Sequence, residues 1–128
     1  MKIEHIAFWA NDIETLKGFY TTYFNMRCND KYTNTKKQFE SYFLSFDDNS
    51  TRIELMQRTG IGGDNTTGHI IGPAHIAIST GSREAVDRLT ARLKNDGYII
   101  AGEPRVTGDG YYESVVLDPE GNHIEITV

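Results

Sequence analysis

The chain is written twice. His5-Ile6-Ala7-Phe8 recurs as His75-Ile76-Ala77-Ile78 at an offset of 70 residues, and Ser45 to Leu55 aligns with Val116 to Ile126 at an offset of 71. Such a repeat restricts the architecture before any local motif does, because both copies must form the same supersecondary unit and bury the same apolar face. Between the copies, residues 59–72 hold five glycines in fourteen positions, which reads as a linker or loop. The expected organisation is module 1 over 1–58, a linker over 59–72 and module 2 over 73–128, within a chain of 128 residues, one domain's length.

Each module has the same order of periodicities. Ile3 to Ala10 has strand composition; Asn11-Asp12 then offers a helix N-cap, and Ile13, Leu16, Phe19/Tyr20 and Tyr23/Phe24 recur on one helical face. Asn25 stands where that helix ends and tolerates the left-handed conformation of a C-terminal cap. Strands are predicted over 27–33, 39–46 and 52–57. Module 2 repeats the sequence of events: a strand over 74–79, a helix capped by Ser82 with Val86, Leu89 and Leu93 inward and Gly97 closing it, then strands over 98–102, 111–117 and 123–128. Asp118-Pro119-Glu120-Gly121 is turn chemistry. The predicted fold class is α+β, with two tandem βαβββ modules forming a cupped sheet around a metal site.

Composition narrows the partners. Thirteen Lys+Arg against eighteen Asp+Glu give a net charge of -5, so there is no overall positive field to draw nucleic acid or anionic lipid. The single cysteine, Cys28, forms no internal disulfide, and no leader-like or membrane-spanning apolar run stands at either end, so a soluble cytoplasmic protein is expected. Cys28 has no neighbouring histidine or basic pair to support a catalytic thiolate. Gly60-Ile61-Gly62-Gly63 lacks the Gly-Lys-Ser/Thr of a phosphate loop, and His69 reads as a surface residue of the linker.

The chemistry emerges from the repeat. The first strand of each module carries a histidine, His5 and His75, and the last carries a glutamate, Glu54 and Glu125. Side chains alternate along a strand, and Ile53/Leu55, Ile76/Ile78 and Ile124/Ile126 flank these residues, so the His and Glu side chains are expected on the sheet face away from the helices. Each residue alone fits an ordinary structural histidine or an exposed ion pair; it is the recurrence at matching positions that points to a ligand set. If a pseudo-twofold relates the modules, four side chains converge as His2Glu2, a set suited to nickel, zinc, manganese, cobalt or ferrous iron. Arg52 and His123 precede the glutamates by two residues and share their face, either to orient the carboxylate, to bind an anionic substrate or to form an exposed edge pair. Trp9, Met56, Ala77, Ser79 and Thr127 are expected to line the same cavity, with one of Tyr111 and Tyr112 on the pocket side.

The opening His5-Ile6-Ala7-Phe8, the Phe19-Tyr20 helix, its Phe24-Asn25-Met26 end and the closing Asp118-Pro119-Glu120-Gly121-Asn122-His123-Ile124-Glu125-Ile126 resemble the vicinal-oxygen-chelate superfamily of glyoxalase I, bleomycin-resistance proteins and ring-cleaving dioxygenases. The resemblance spans nearly the whole chain as a single glyoxalase-like domain. It implies glyoxalase I ligands at His5, Glu54, His75 and Glu125, with Glu125 or Glu54 as the base. It implies a metal-dependent lyase or isomerase, such as a lactoylglutathione lyase, that moves a proton through a metal-stabilised enediolate. It further implies a homodimer in which each site takes His5 and Glu54 from one subunit and His75 and Glu125 from the other. Small bacterial glyoxalases carry an arginine four residues after the first histidine to hold glutathione; here Trp9 stands there, suiting an aromatic or less charged small molecule or packing at the dimer contact. The alternatives are another enzyme of the superfamily (epimerase, dioxygenase or thiol transferase), against which Glu54 argues, and a metal-free binding or resistance protein, against which all four retained ligands argue.

Overall fold

A computed structural model describes residues 4–46, 51–60, 75–108 and 110–128 of the chain. It comprises two compact units, Met1–Asp64 and Asn65–Val128. Of the expected linker, only Thr59 and Gly60 fall within the described residues; Ile61-Gly62-Gly63 and His69 lie outside them.

The first module runs β1 (His5–Trp9), α1 (Ile13–Tyr23), β2 (Arg27–Cys28), β3 (Tyr32–Asn34), β4 (Phe39–Ser45) and β5 (Arg52–Arg58). The sheet order is β1-β5-β4-β2, with β3 also on β4; β1 runs parallel to β5, and the other pairs are antiparallel. Helix α1 starts where Asp12 turns its carboxylate onto the amides of Glu14 and Thr15, at 3.0 Å each, supplying acceptors to donors that no helical carbonyl reaches. It ends at Asn25, whose φ of 54° is the expected left-handed cap. Ile13, Leu16, Phe19 and Tyr20 are buried, packing the helix on one sheet face with Tyr42, Leu44, Ile53 and Leu55. Ile6, expected on that apolar face, keeps 40% exposure because β1 is an edge strand.

The strand expected over 27–33 is two strands. Asn29 interrupts it: its side-chain carbonyl accepts the Phe43 amide at 2.7 Å, and its own amide donates to the Phe43 carbonyl at 3.1 Å. A short polar side chain thus replaces one rung of the ladder.

The second module runs β6 (Ile76–Ser79), α2 (Arg83–Asn95), β7 (Ile100–Val106), β8 (Tyr112–Leu117) and β9 (His123–Thr127), in the order β6-β9-β8-β7 with β6 parallel to β9. Ser82 caps α2 through the Ala85 amide at 3.2 Å, and Gly97 follows it at φ 90°. Val86 and Leu93 are buried as expected, but Leu89 is only half-buried and Thr90 takes the inward place beside it. Thr90 is tolerated in the core because its hydroxyl reaches the Val86 carbonyl at 2.7 Å and the Ser114 hydroxyl at 2.6 Å. Strand β7 begins two residues later than expected and continues to Val106 through Pro104, with register breaks on either side of Gly102. It is an edge strand, where a proline lacking an amide hydrogen is admissible. The Asp118 turn forms as read: Gly121 at φ 82° donates to the Asp118 carbonyl, and the buried Asp118 carboxylate accepts the amides of Glu120 and Asn122 at 2.9 Å each.

Candidate metal centre

Each sheet holds one histidine facing one glutamate, by the same construction. In module 1 the parallel register sets Ala7 opposite Glu54; in module 2 it sets Ala77 opposite Glu125. Each histidine stands two residues before that alanine, so it shares the alanine's face, and the methyl side chain leaves room for the longer ones to meet. His5 Nε2 lies 3.8 Å from Glu54 Oε2, and His75 Nε2 lies 3.3 Å from Glu125 Oε2. The apolar neighbours Ile53, Leu55, Ile124 and Ile126 are buried on the helix-facing side, fixing the glutamates to the other face. Glutamate side chains are 16% and 21% exposed against 40% and 45% for the histidines, so the carboxylates are largely held by the sheet and the imidazoles reach out of it.

This donor chemistry fits a divalent cation. Two ligand atoms each about 2.1 Å from one ion and at right angles to it stand about 3.0 Å apart, within an ångström of both pairs. Among the described residues, no group of three or more His, Cys, Asp or Glu side chains is placed to hold a metal ion.

Module 1 adds a carboxylate that alternation along the strand conceals. Glu4 precedes β1, and its carboxylate binds His5 Nδ1 on one oxygen and the Arg52 guanidinium on the other. The His5 ring, and then Arg52, hold the Glu4 carboxyl below its ordinary range. A carboxylate on Nδ1 orients the imidazole and leaves Nε2 for Glu54 or a cation. Ala74 precedes His75 in the sequence, so module 2 has no such carboxylate at that position. Arg52 therefore makes the edge pair with Glu4 and covers the Phe43 ring, 4.1 Å from its centroid, while His5 meets the same ring edge-on at 5.4 Å. Phe43 sits opposite Glu54 on β4, a neighbour that the sequence reading passed over.

The remaining candidates fall as follows. Trp9 pairs with Met56 across β1 and β5 and lies edge-on to Phe39 at 6.2 Å. Ser79 pairs with Thr127 at the end of β6; His123 opens β9 opposite Leu117. Tyr112 turns to the helix side, donating to Asp87 at 2.6 Å, which leaves the exposed Tyr111 on the Glu125 face by alternation. Burial pushes the Cys28 thiol up, away from the thiolate.

Solved structures share this architecture. Glyoxalase I from Zea mays superposes with a TM-score of 0.81 at 23% identity, covering 98% of this chain and 44% of the maize chain. This chain thus spans less than half the length of that protein. The trypanothione-dependent glyoxalase I of Leishmania major gives 0.78 at 24% identity, over 99% of this chain and 86% of its own. A glyoxalase family protein from Enterococcus faecalis gives 0.79 at 20%, over 99% and 97%. At these identities the likeness establishes the fold. No curated protein matches the sequence. No helix among the described residues is long and apolar enough to cross a membrane. The family model described as Glyoxalase/Bleomycin resistance protein/Dioxygenase superfamily matches residues 2–126, and with the duplicated modules it establishes that the chain belongs to that superfamily.

Proposed function

We propose that the protein is a metal-dependent lyase or isomerase of glyoxalase I type, in which His5, Glu54, His75 and Glu125 hold one divalent ion. The observation that carries this reading is the duplicated pair: the same two side chains, at the same register, facing each other through the same atoms in both modules. A ligand set shared by the two modules requires this recurrence, whereas an ion pair on a sheet face does not depend on it. We assign nickel, zinc, manganese, cobalt or iron(II) as the ion, since imidazole and carboxylate together suit these metals.

A divalent cation, when bound, supplies a Lewis acid for the negative charge that develops on a substrate's oxygens during proton abstraction beside a carbonyl. The chain's own residues do the rest. Glu125 is assigned as the base: its carboxylate keeps enough exposure to meet a substrate carbon while Oε2 stays beside His75 Nε2. Glu54, in the same setting beside His5, is the second candidate. Glu4 holds His5 by Nδ1. By family resemblance the site forms in a homodimer, from His5 and Glu54 of one subunit with the partner subunit's His75 and Glu125.

The deciding experiment is calorimetric titration of nickel, zinc and manganese into chelator-stripped wild type and Glu54→Gln, followed by assay of the hemithioacetal of methylglyoxal and glutathione. We expect tight binding by the wild type, weakened by the variant, and isomerisation by the loaded protein. A wild type that takes up no metal overturns the reading.

A further inference from the structure

The face of the module 1 sheet that carries His5 and Glu54 continues beyond them in ranks. Ala7, Glu54 and Phe43 form one rank; Trp9, Met56, Ser41 and Tyr32 the next; Arg58, Phe39 and Asn34 the last. Successive ranks are about 7 Å apart, so Arg58 stands roughly 13 Å along the sheet from Glu54. The middle rank is low at its centre, where Ser41 and Met56 lie, and high at both ends, where rings stand on either side. Trp9 and Tyr32 each lean on Phe39, with centroids at 6.2 and 6.1 Å, yet remain 48% and 54% exposed. Beyond them, at the end of the sheet, a recess of about 350 Å³ is lined by Asn34, Phe39 and Arg58 of the last rank and by Glu40 and Gln57, whose side chains turn to the helix side; the Glu40 carboxylate there is already paired with Lys31 at 3.3 Å. Its one cationic lining residue, Arg58, is exposed and makes no ion pair with a described residue, whereas Lys17, Lys31 and Arg52 of the same module are each matched by a carboxylate.

We infer that this face is an aryl-anion subsite: it takes a planar apolar group against Trp9 and Phe39, and a terminal carboxylate or other anion at Arg58. Exposed ring faces with a cation beyond them suit a flat apolar body ending in negative charge, and the Thr35 hydroxyl lining the same recess supplies a further donor. This deepens the function proposed above and rests on it in one respect. If the chelating end of a substrate lies at His5 and Glu54, the rank spacing makes the substrate an extended molecule whose anion sits roughly 13 Å from its reacting oxygens.

Trp9 is the sole tryptophan, so its fluorescence reports the subsite directly. The probes are 4-phenylbutanoate and the neutral 4-phenylbutanamide, titrated into full-length protein with and without added zinc. We expect saturable change in Trp9 emission with the acid, at least 10-fold weaker binding of the amide whether or not zinc is present, loss of that preference in Arg58→Gln and its return in Arg58→Lys. Equal binding of acid and amide, a preference that survives Arg58→Gln, or one that appears only with zinc would overturn the subsite. A protein that binds the acid at Arg58 but takes up no metal would sink the metal reading and leave the subsite standing; tight metal binding without acid preference would do the reverse.

Discussion

Asn25 and Glu4 show how differently single residues declare themselves. Asn25 was legible because its role is local: at φ 54° the backbone favours Gly or Asn whatever surrounds it. We expect Asn25→Gly to leave stability within a few tenths of a kcal/mol or raise it, and Asn25→Val to cost about 1–2 kcal/mol, read from urea midpoints. Glu4 was not legible. Alternation sends residues 4 and 5 to opposite faces, and only the path of the Glu4 side chain around the strand end brings its carboxylate to His5 Nδ1 and Arg52. The same contact explains why Arg52, paired with His5 across β1 and β5, does not orient Glu54: Glu4 occupies its guanidinium. Glu4→Gln retains the shape and one acceptor but loses the charge; Glu4→Ala loses both. We expect metal affinity to fall about 10-fold in Glu4→Ala and less in Glu4→Gln, with a changed d–d spectrum for bound cobalt. Unchanged affinity and spectrum in both variants would show that Glu4 does not position His5.

Helices and strands were read to different depths for a physical reason. Helix ends are set by short-range chemistry, so Asp12, Asn25, Ser82 and Gly97 could be placed from sequence, whereas strand limits depend on neighbours that sequence does not give. Asn29 splits a strand by bonding across to Phe43, and β7 extends through Pro104 because it lies on an edge. The docking of α1 on its sheet adds a pH-dependent contact. Lys17 above all, then Lys31 and the Tyr42 hydroxyl, lower the Glu14 carboxyl from 4.5 to about 2. A carboxyl depressed on folding stabilises above its unfolded value and loses that contribution as pH falls toward its folded one. Glu14 is half exposed, so solvent screening limits the effect to below about 1 kcal/mol. We expect Glu14→Gln to lower the urea midpoint at pH 7, and the gap from wild type to narrow as pH falls from 4.5 to 2. Helix α2 docks through the buried Thr90–Ser114 hydroxyl pair instead. Thr90→Val strands the Ser114 hydroxyl and should cost about 1–3 kcal/mol, while adding Ser114→Ala should recover part of that loss. A double variant no more stable than the single one would show that the hydroxyls are not coupled.

At the scale of the whole molecule, the repeat revealed two equivalent His–Glu pairs, and their register could be anticipated because it depends only on strand order and alternation. Whether the two pairs complete one site across a dimer, as proposed, is a matter of assembly, and it lends itself to a test by complementation. A variant carrying His5→Gln and Glu54→Gln has no competent module 1; one carrying His75→Gln and Glu125→Gln has no competent module 2. Neither is expected to bind metal tightly alone. If each site takes its first half from one subunit and its second from the other, a mixed dimer joins the intact module 1 of one variant to the intact module 2 of the other, restoring one of two sites. Random exchange at equal concentrations makes half the dimers mixed, so about a quarter of wild-type metal capacity should return. Co-refolding the two variants and counting bound zinc per chain gives the answer. Recovery near that fraction supports the shared site, since a site confined within one chain cannot be rebuilt by mixing. Continued absence of tight binding, in a sample shown by mass spectrometry to contain mixed dimers, would rule it out.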